Sequence, residues 1–197
     1  MKTIRRDYMK TSSPLLSAML ILSGGAAVSA TSPASAPTRL YVVEAVEDGD
    51  TVVLQVNGKS TRVQILGIDA PESAQNAKFK LDVKNTGLSE ATLLELGEAS
   101  SAYMQSLLAV GEQVSIQGEL RAADRYGRIP AVVRNAAGKD LGDTMVLDGY
   151  AVVLDGAEQD REYVQRLGRV ERIARKSNNG LWGSYAETFR LWYDRTR

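Results

Sequence analysis

Residues 40–58 read Leu40-Tyr41-Val42-Val43-Glu44-Ala45-Val46-Glu47-Asp48-Gly49-Asp50-Thr51-Val52-Val53-Leu54-Gln55-Val56-Asn57-Gly58. Two valine-rich runs are punctuated by Asp48-Gly49 and Asn57-Gly58. β-Branched residues suit a pleated, half-buried surface. Asp-Gly and Asn-Gly are the dipeptides of two-residue hairpin turns, because both supply backbone at positive φ. The pattern predicts strands over 40–46 and 51–56 with a tight turn at Asp48-Gly49. A third strand is expected over 61–68, with Val63, Ile65 and Gly67 on one face and Arg62, Gln64, Leu66 and Ile68 on the other. Three consecutive antiparallel strands form a meander.

Further along, residues 73–94 read as a long polar connection with helical character only after Ser89. Helical spacing over 98–110 places Ala99, Ala102, Tyr103, Leu107 and Leu108 on one face, and Gly111 ends it. Strands are expected over 113–120 and 129–134, with Pro130 at a strand start or an edge. A short helix is expected over 141–150. A longer amphipathic one covers 158–176, with Tyr163, Leu167, Val170, Ile173 and Ala174 inward. A last short helix covers 184–197. The run Arg161, Arg166, Arg169, Arg172, Arg175 and Lys176 is interleaved with acids and reads as a solvated helix face. Tyr41, Tyr103 and Tyr163 read as core. Five strands with a helix after the third and helices at the end predict a β-rich α+β fold, a five-stranded closed barrel of the oligonucleotide-binding (OB) type. The folded domain is expected over 39–184, with a helical tail over 185–197.

The 197 residues suffice for one domain with a real core. There is no Cys, hence no disulfide and no thiolate metal site, and no His, hence no imidazole base or histidine-ligated zinc. Chemistry at a site must come from carboxylates, Lys or Arg, hydroxyls or a metal bound by oxygen. Lys and Arg together number 24, as do Asp and Glu, so any basic surface must be local. Lys2, Arg5, Arg6 and Lys10 followed by an apolar run over 14–28 read as a signal peptide over 1–30, with cleavage near Ala30 or Ala36. Arg5-Arg6 also fits a twin-arginine signal, against the plainer reading of an ordinary secretory leader. Residues 31–38 read as a flexible leader. The expectation is an exported protein, periplasmic or secreted, with no stable membrane insertion after cleavage and a monomeric state.

Three short pieces carry chemistry: Asp48-Gly49-Asp50-Thr51, Gly67-Ile68-Asp69-Ala70-Pro71-Glu72 and Asp124-Arg125-Tyr126-Gly127-Arg128. Each alone has a bland reading as a turn, a strand end or a polar loop. Together, acids and arginines at the turns of one small barrel are what a hard cation and a phosphate ester require. Oxygen ligands hold calcium, a free carboxylate activates water, and a guanidinium neutralises phosphoryl charge.

These pieces in this order, with a terminal Gly180-Leu181-Trp182, resemble the thermonuclease family of staphylococcal-nuclease-like domains over roughly residues 41–184. The resemblance implies a five-stranded barrel with about three helices and calcium-dependent hydrolysis of DNA and RNA, leaving 3′-phosphates, with low sequence specificity. By position it implies Asp50, Asp69 and the backbone carbonyl of Ala70 as calcium ligands, with Asp48 behind them. Glu72 would orient or deprotonate the attacking water, and Arg128 would contact the scissile phosphate. Arg125 and Tyr126 fall where the family holds a terminal phosphate, and Trp182 is similar to a packing residue. One position departs from the pattern: Gln64 stands where the family carries a second phosphate arginine. Arg62, one pleat earlier on the same face, is about 7 Å away along the strand. Asp155 stands where some members carry a tyrosine against the base. The 73–96 connection is longer than in short members. The rival to an enzyme is a catalytically weak or inactive OB-fold module that binds single-stranded nucleic acid or a protein partner.

Overall fold

In the computed structural model, which describes residues 39–154 and 160–196, the valine-rich runs are strands β1 (Leu40–Val46) and β2 (Thr51–Val56). With β3 (Lys59–Ile65), β5 (Gln113–Gln117) and β6 (Ile129–Arg134) they close a barrel in the order β1-β2-β3-β6-β5. The first pairings are antiparallel, β3 runs parallel to β6, and β1 closes onto β5. The expected five-stranded OB barrel is therefore the observed architecture. A short strand β4 (Ile68–Asp69) leaves the barrel and pairs with β7 (Val152–Val153).

The two hairpin dipeptides behave differently. Asn57 and Gly58 both take positive φ, 52° and 76°, as the two-residue turn demands. Gly49 does not adopt positive φ. The β1–β2 connection is longer, with Glu47 N–H and Asp48 N–H both donating to Thr51 O. Glycine is needed there for space, since a Cβ on Gly49 would lie 1.9 Å from Ser100 Oγ.

The helices are α1 (Ala77–Thr86), α2 (Glu90–Leu107), α3 (Leu141–Leu147), α4 (Arg161–Ser177), α5 (Leu181–Ser184) and α6 (Ala186–Thr196). The 73–94 connection is thus substantially helical. α1 starts at Asn76, whose side chain accepts from Phe79 N–H, and stops at Gly87 in the left-handed region. Its inward face carries Asp82 beside Phe79, so hydrophobic periodicity gives no helical signal there. α2 begins eight residues earlier than expected, capped by Ser89. Its buried face is Leu93, Leu96, Gly97, Ser100, Ser101 and Met104, and Ala102 is exposed. Gly97 faces inward because the helix approaches the backbone of Glu72 and Ser73 closely, and Ser100 lies beside Gly49 and donates to Tyr150 O at 2.7 Å. On α4, Ile173 is 52% exposed and Glu171 takes the inward place, accepting a hydrogen bond from Val153 N–H at 3.2 Å. Ile173 lies about a quarter-turn off the stripe set by Tyr163, Leu167 and Ala174.

One apolar cluster fills the barrel, with Leu54, Ile65, Ile68 and Met145 fully buried. Burying such a side chain stabilises by about 1.5–3 kcal/mol. A second cluster joins Phe79, Leu96, Trp182, Phe189 and Trp192. α6 is therefore packed against α1 and α5 through buried aromatics. Tyr41 and Tyr163 are core, and Tyr103 stacks on Tyr150 at 4.1 Å. Arg161, Arg169, Arg172, Arg175 and Lys176 are exposed along α4, the solvated face that was expected. Among the described residues no helix is long and apolar enough to cross a membrane. The leader over 1–38 and Asp155 lie outside the described residues.

Candidate active site

The three motifs meet at one end of the barrel. The β1–β2 loop brings Asp48 and Asp50. Asp48 Oδ1 accepts from Asp50 N–H at 3.0 Å, which fixes the loop. Asp50 is 3% exposed. Its Oδ1 accepts from Thr51 Oγ1 at 2.8 Å and its Oδ2 from Ala70 N–H at 3.1 Å, so one carboxylate ties the first motif to the second. Gly67, at positive φ beside Leu167, turns the chain out of β3 and delivers Asp69.

Glu72 is 7% exposed. Its backbone carbonyl lies against α2 at Gly97, where a Cβ would come within 2.0 Å of it. No side chain larger than hydrogen fits at Gly97 with Glu72 where it is.

Asp124 builds the third motif. Its Oδ1 accepts from Tyr126 N–H at 2.8 Å and Arg128 N–H at 2.9 Å, and its Oδ2 from Arg128 Nε at 3.0 Å. These hydrogen bonds outweigh the opposing effect of its partial burial and hold its carboxyl below the usual range. Arg128 is aimed inward, with Nη1 3.8 Å from Asp50 Oδ1 and 3.4 Å from Thr51 Oγ1. Tyr126 lies under the guanidinium groups of both Arg125 and Arg128, at 4.8 and 5.2 Å from ring centre.

Asp48, Glu72, Tyr126 and Arg128 line a cavity of about 230 Å³, together with Arg62, Asn76 and Lys78. Gln64, Asp69, Arg125, Tyr126 and Arg128 line an adjoining groove of about 820 Å³, with Lys78 and Leu154. Asp50 lines neither and meets them through Arg128 and Ala70. All nine residues expected from the sequence thus belong to one patch. Arg62 is there too, clamped by Glu47 (Nε to Oε2, 2.6 Å) and donating to Tyr126 O at 3.3 Å.

Three residues of the patch were not foreseen. Lys78 reaches in from α1. Its Nζ is 3.2 Å from Asp69 Oδ1, 3.2 Å from Ala70 O, 3.1 Å from Glu72 Oε1 and 3.5 Å from Asp82 Oδ2. Asn76 Nδ2 donates to Glu72 Oε2 at 2.5 Å. Asp82, 4% exposed, also accepts from Trp192 Nε1 at 3.0 Å. Only the four-residue spacing of Lys78 and Asp82 hints at this in sequence, and that spacing is common on solvated helices.

The site holds more negative charge than its cations balance. Burial first, then the charges of Asp50 and Glu72, push Asp48 up to about 8. Burial first, opposed by Lys78 and aided by Asp50, pushes Asp69 up to about 7. Asp50 is raised mainly by burial, although Lys78, Thr51 and Arg128 oppose it. Burial would lower Lys78, but the carboxylates of Asp69, Glu72, Asp82 and Asp50 overcome it and raise the ammonium above its ordinary value. Carboxylate and carbonyl oxygens are the donors that calcium takes. In type the donor set of Asp50, Asp69 and Ala70 O fits such an ion, and the Lys78 ammonium already stands as a positive charge against two of these groups. Among the described residues no three acidic side chains are grouped around one point as metal ligands.

A family model described as Staphylococcal nuclease homologue matches residues 62–184, well over half of the chain. This chain belongs to the staphylococcal nuclease family. Family membership agrees with the barrel and with the order of the three motifs. The chain is 31% identical over 150 residues to a protein named Uncharacterized endonuclease from Escherichia coli, covering 76% of this chain and 80% of that one. It is 30% identical over 105 residues to the Thermonuclease of Staphylococcus intermedius, covering 53% of this chain and 51% of that one. It is 28% identical over 145 residues to Endonuclease YhcR of Bacillus subtilis (strain 168), covering 72% of this chain but only 11% of that one.

Proposed function

We propose that this chain is an exported nuclease that hydrolyses phosphodiester bonds of DNA and RNA with little sequence preference, acting as a monomer with calcium as its resident ion. One observation carries the reading. Glu72 and Arg128 line one cavity, Asp69 and Arg128 line the open groove beside it, and Asp50 and the Ala70 carbonyl are joined to them through Arg128, the Ala70 N–H and Lys78. The endonuclease and thermonuclease names of the relatives agree with it.

Asp50, Asp69 and the Ala70 carbonyl would hold calcium, which when bound supplies positive charge to a phosphate oxygen in an otherwise acidic cleft. Glu72 would take a proton from a water directed at phosphorus, opposite the 5′ oxygen that leaves. With a proton taken up from solvent by the leaving 5′ oxygen, a 3′-phosphate and a 5′-hydroxyl would result. Arg128, pre-aimed by Asp124, would donate to the phosphoryl oxygens as charge builds on them, a contact of the kind whose loss lowers rate by about 10²–10³. Arg125 and Tyr126, at the open side of the groove, would hold a neighbouring phosphate. Gln64 can donate a hydrogen bond there but carries no charge.

That glutamine supports a second reading, a binding module that holds single-stranded nucleic acid without cutting it. Degradation of single-stranded DNA with calcium and with a chelator, beside Glu72→Gln, separates the two. Calcium-dependent cleavage that Glu72→Gln abolishes is expected. A folded, calcium-bound protein that binds DNA and leaves it intact would favour the module.

A further inference from the structure

The segment 73–96, longer than the resemblance requires, is not a neutral insertion. Its helix α1 carries a positive charge into the carboxylate cluster. Lys78 Nζ contacts Asp69 Oδ1, Ala70 O, Glu72 Oε1 and Asp82 Oδ2, all within 3.5 Å. Two of these oxygens are those expected to hold calcium, and a third belongs to the carboxylate expected to handle water. Asn76, the cap of the same helix, donates to the other Glu72 oxygen. Both oxygens of Glu72 are therefore engaged by one helix end. The side chain of Lys78 is only 29% exposed, so these contacts are shielded from solvent. Asp82 holds the ammonium from behind and is itself fixed by Trp192 Nε1 of α6.

An ammonium and a divalent ion crowded onto the same few oxygens repel each other. At about 4 Å apart their repulsion is severe in a partly buried site. The lysine stem is flexible, and Lys78 lines the open groove, which gives its ammonium somewhere to go.

We propose that Lys78 is a tethered cation that competes with a divalent metal ion for Asp69, the Ala70 carbonyl and Glu72, so that metal binding swings the ammonium out and releases Glu72. The proposal rests on the reading of this site as a calcium site. Competition of this kind lowers apparent affinity by the fraction of time the site is open. An ammonium seated nine-tenths of the time weakens binding about tenfold.

Calorimetric titration of calcium into the wild-type chain, Lys78→Met and Lys78→Arg tests it, together with amine-selective labelling of Lys78 read by mass spectrometry. The competition predicts calcium binding about tenfold tighter in Lys78→Met, and near wild-type in Lys78→Arg. It also predicts that Lys78 in the wild type is protected from labelling without calcium and labelled at saturating calcium. Equal affinity of wild type and Lys78→Met, or labelling unmoved by calcium, overturns the competition and leaves the calcium site standing. A tighter Lys78→Met with unmoved labelling overturns it as well, since deleting a charge strengthens cation binding without any displacement. No calcium binding by either folded protein overturns both readings. The labelling arm needs no variant and so holds even if Lys78→Met fails to fold.

Discussion

At the scale of single residues, Gln64 and Asp124 set what the groove can do. Gln64 lies on β3 opposite Thr51 and lines the groove with Arg128, so its side chain can reach a bound phosphate but cannot neutralise it. Gln64→Arg is expected to raise kcat/KM on single-stranded DNA by about 10-fold or more, the scale of one charged contact to a transition state. An unchanged rate would mean that another cation already fills that place, and Arg62, which lines the adjoining cavity, is the first to examine. Asp124 acts on a different axis. Its carboxyl is held below its ordinary value by the Arg128 and Tyr126 hydrogen bonds, so its stabilisation is full at neutral pH and fades as pH falls through the folded value, below about 3.8. Urea unfolding should find Asp124→Asn less stable than wild type by about 1 kcal/mol at pH 6, with the two converging toward pH 2. A gap that stays constant with pH would refute the assignment.

Helices and turns position these residues, and here backbone space matters more than charge. Gly97 on α2 lets the Glu72 carbonyl pass where a Cβ would intrude to 2.0 Å. Gly97→Ala must therefore move the 70–73 segment or the helix. A loss of about 1–3 kcal/mol of stability is expected, together with a fall in any activity that depends on Glu72. An unaltered melting temperature would show that the segment yields freely. The elements legible in the sequence were those with a strong period. The barrel strands and most of the α4 stripe followed from alternation and helical spacing, although the third strand ends at Ile65 and buried Ile68 belongs to β4, and Ile173 lies outside. The nine site positions were expected from the family resemblance, not from spacing. α1 was not legible, because its inward face presents Asp82 beside Phe79 and carries Lys78 toward the carboxylates, a pattern that reads as polar loop. The inward face of α2 was read in part: Leu108 is core and Tyr103 and Leu107 pack against it, but Gly97 and Ser100 are inside for close approach, which hydrophobicity does not report. The role of Gly49 was hidden the same way, since the sequence offers a turn dipeptide and the fold uses a gap beside Ser100.

Across the whole molecule, two apolar clusters share the work: one inside the barrel, one built from α1, α2, α5 and α6 beside it. The second cluster couples the chain's last helix to the site. Trp192 packs on Phe189 at 5.4 Å and donates from Nε1 to the buried Asp82, which in turn meets Lys78. A buried carboxylate that loses one donor loses part of what offsets its desolvation, at about 1–3 kcal/mol, and Asp82 would keep only Lys78 among the described residues. Trp192→Phe removes the N–H together with part of the buried ring, while keeping an aromatic in the cluster. Its cost should therefore depend on whether Asp82 is still charged. In a double-mutant cycle with Asp82→Asn, followed by urea unfolding, a coupling of at least about 0.5 kcal/mol is expected. Strict additivity would mean that the indole and the carboxylate do not interact in solution. The helix would then be held by packing alone and the site would not feel it. A substantial coupling would instead make α6, ten dozen residues downstream of Asp69, part of what holds Lys78 against the acids.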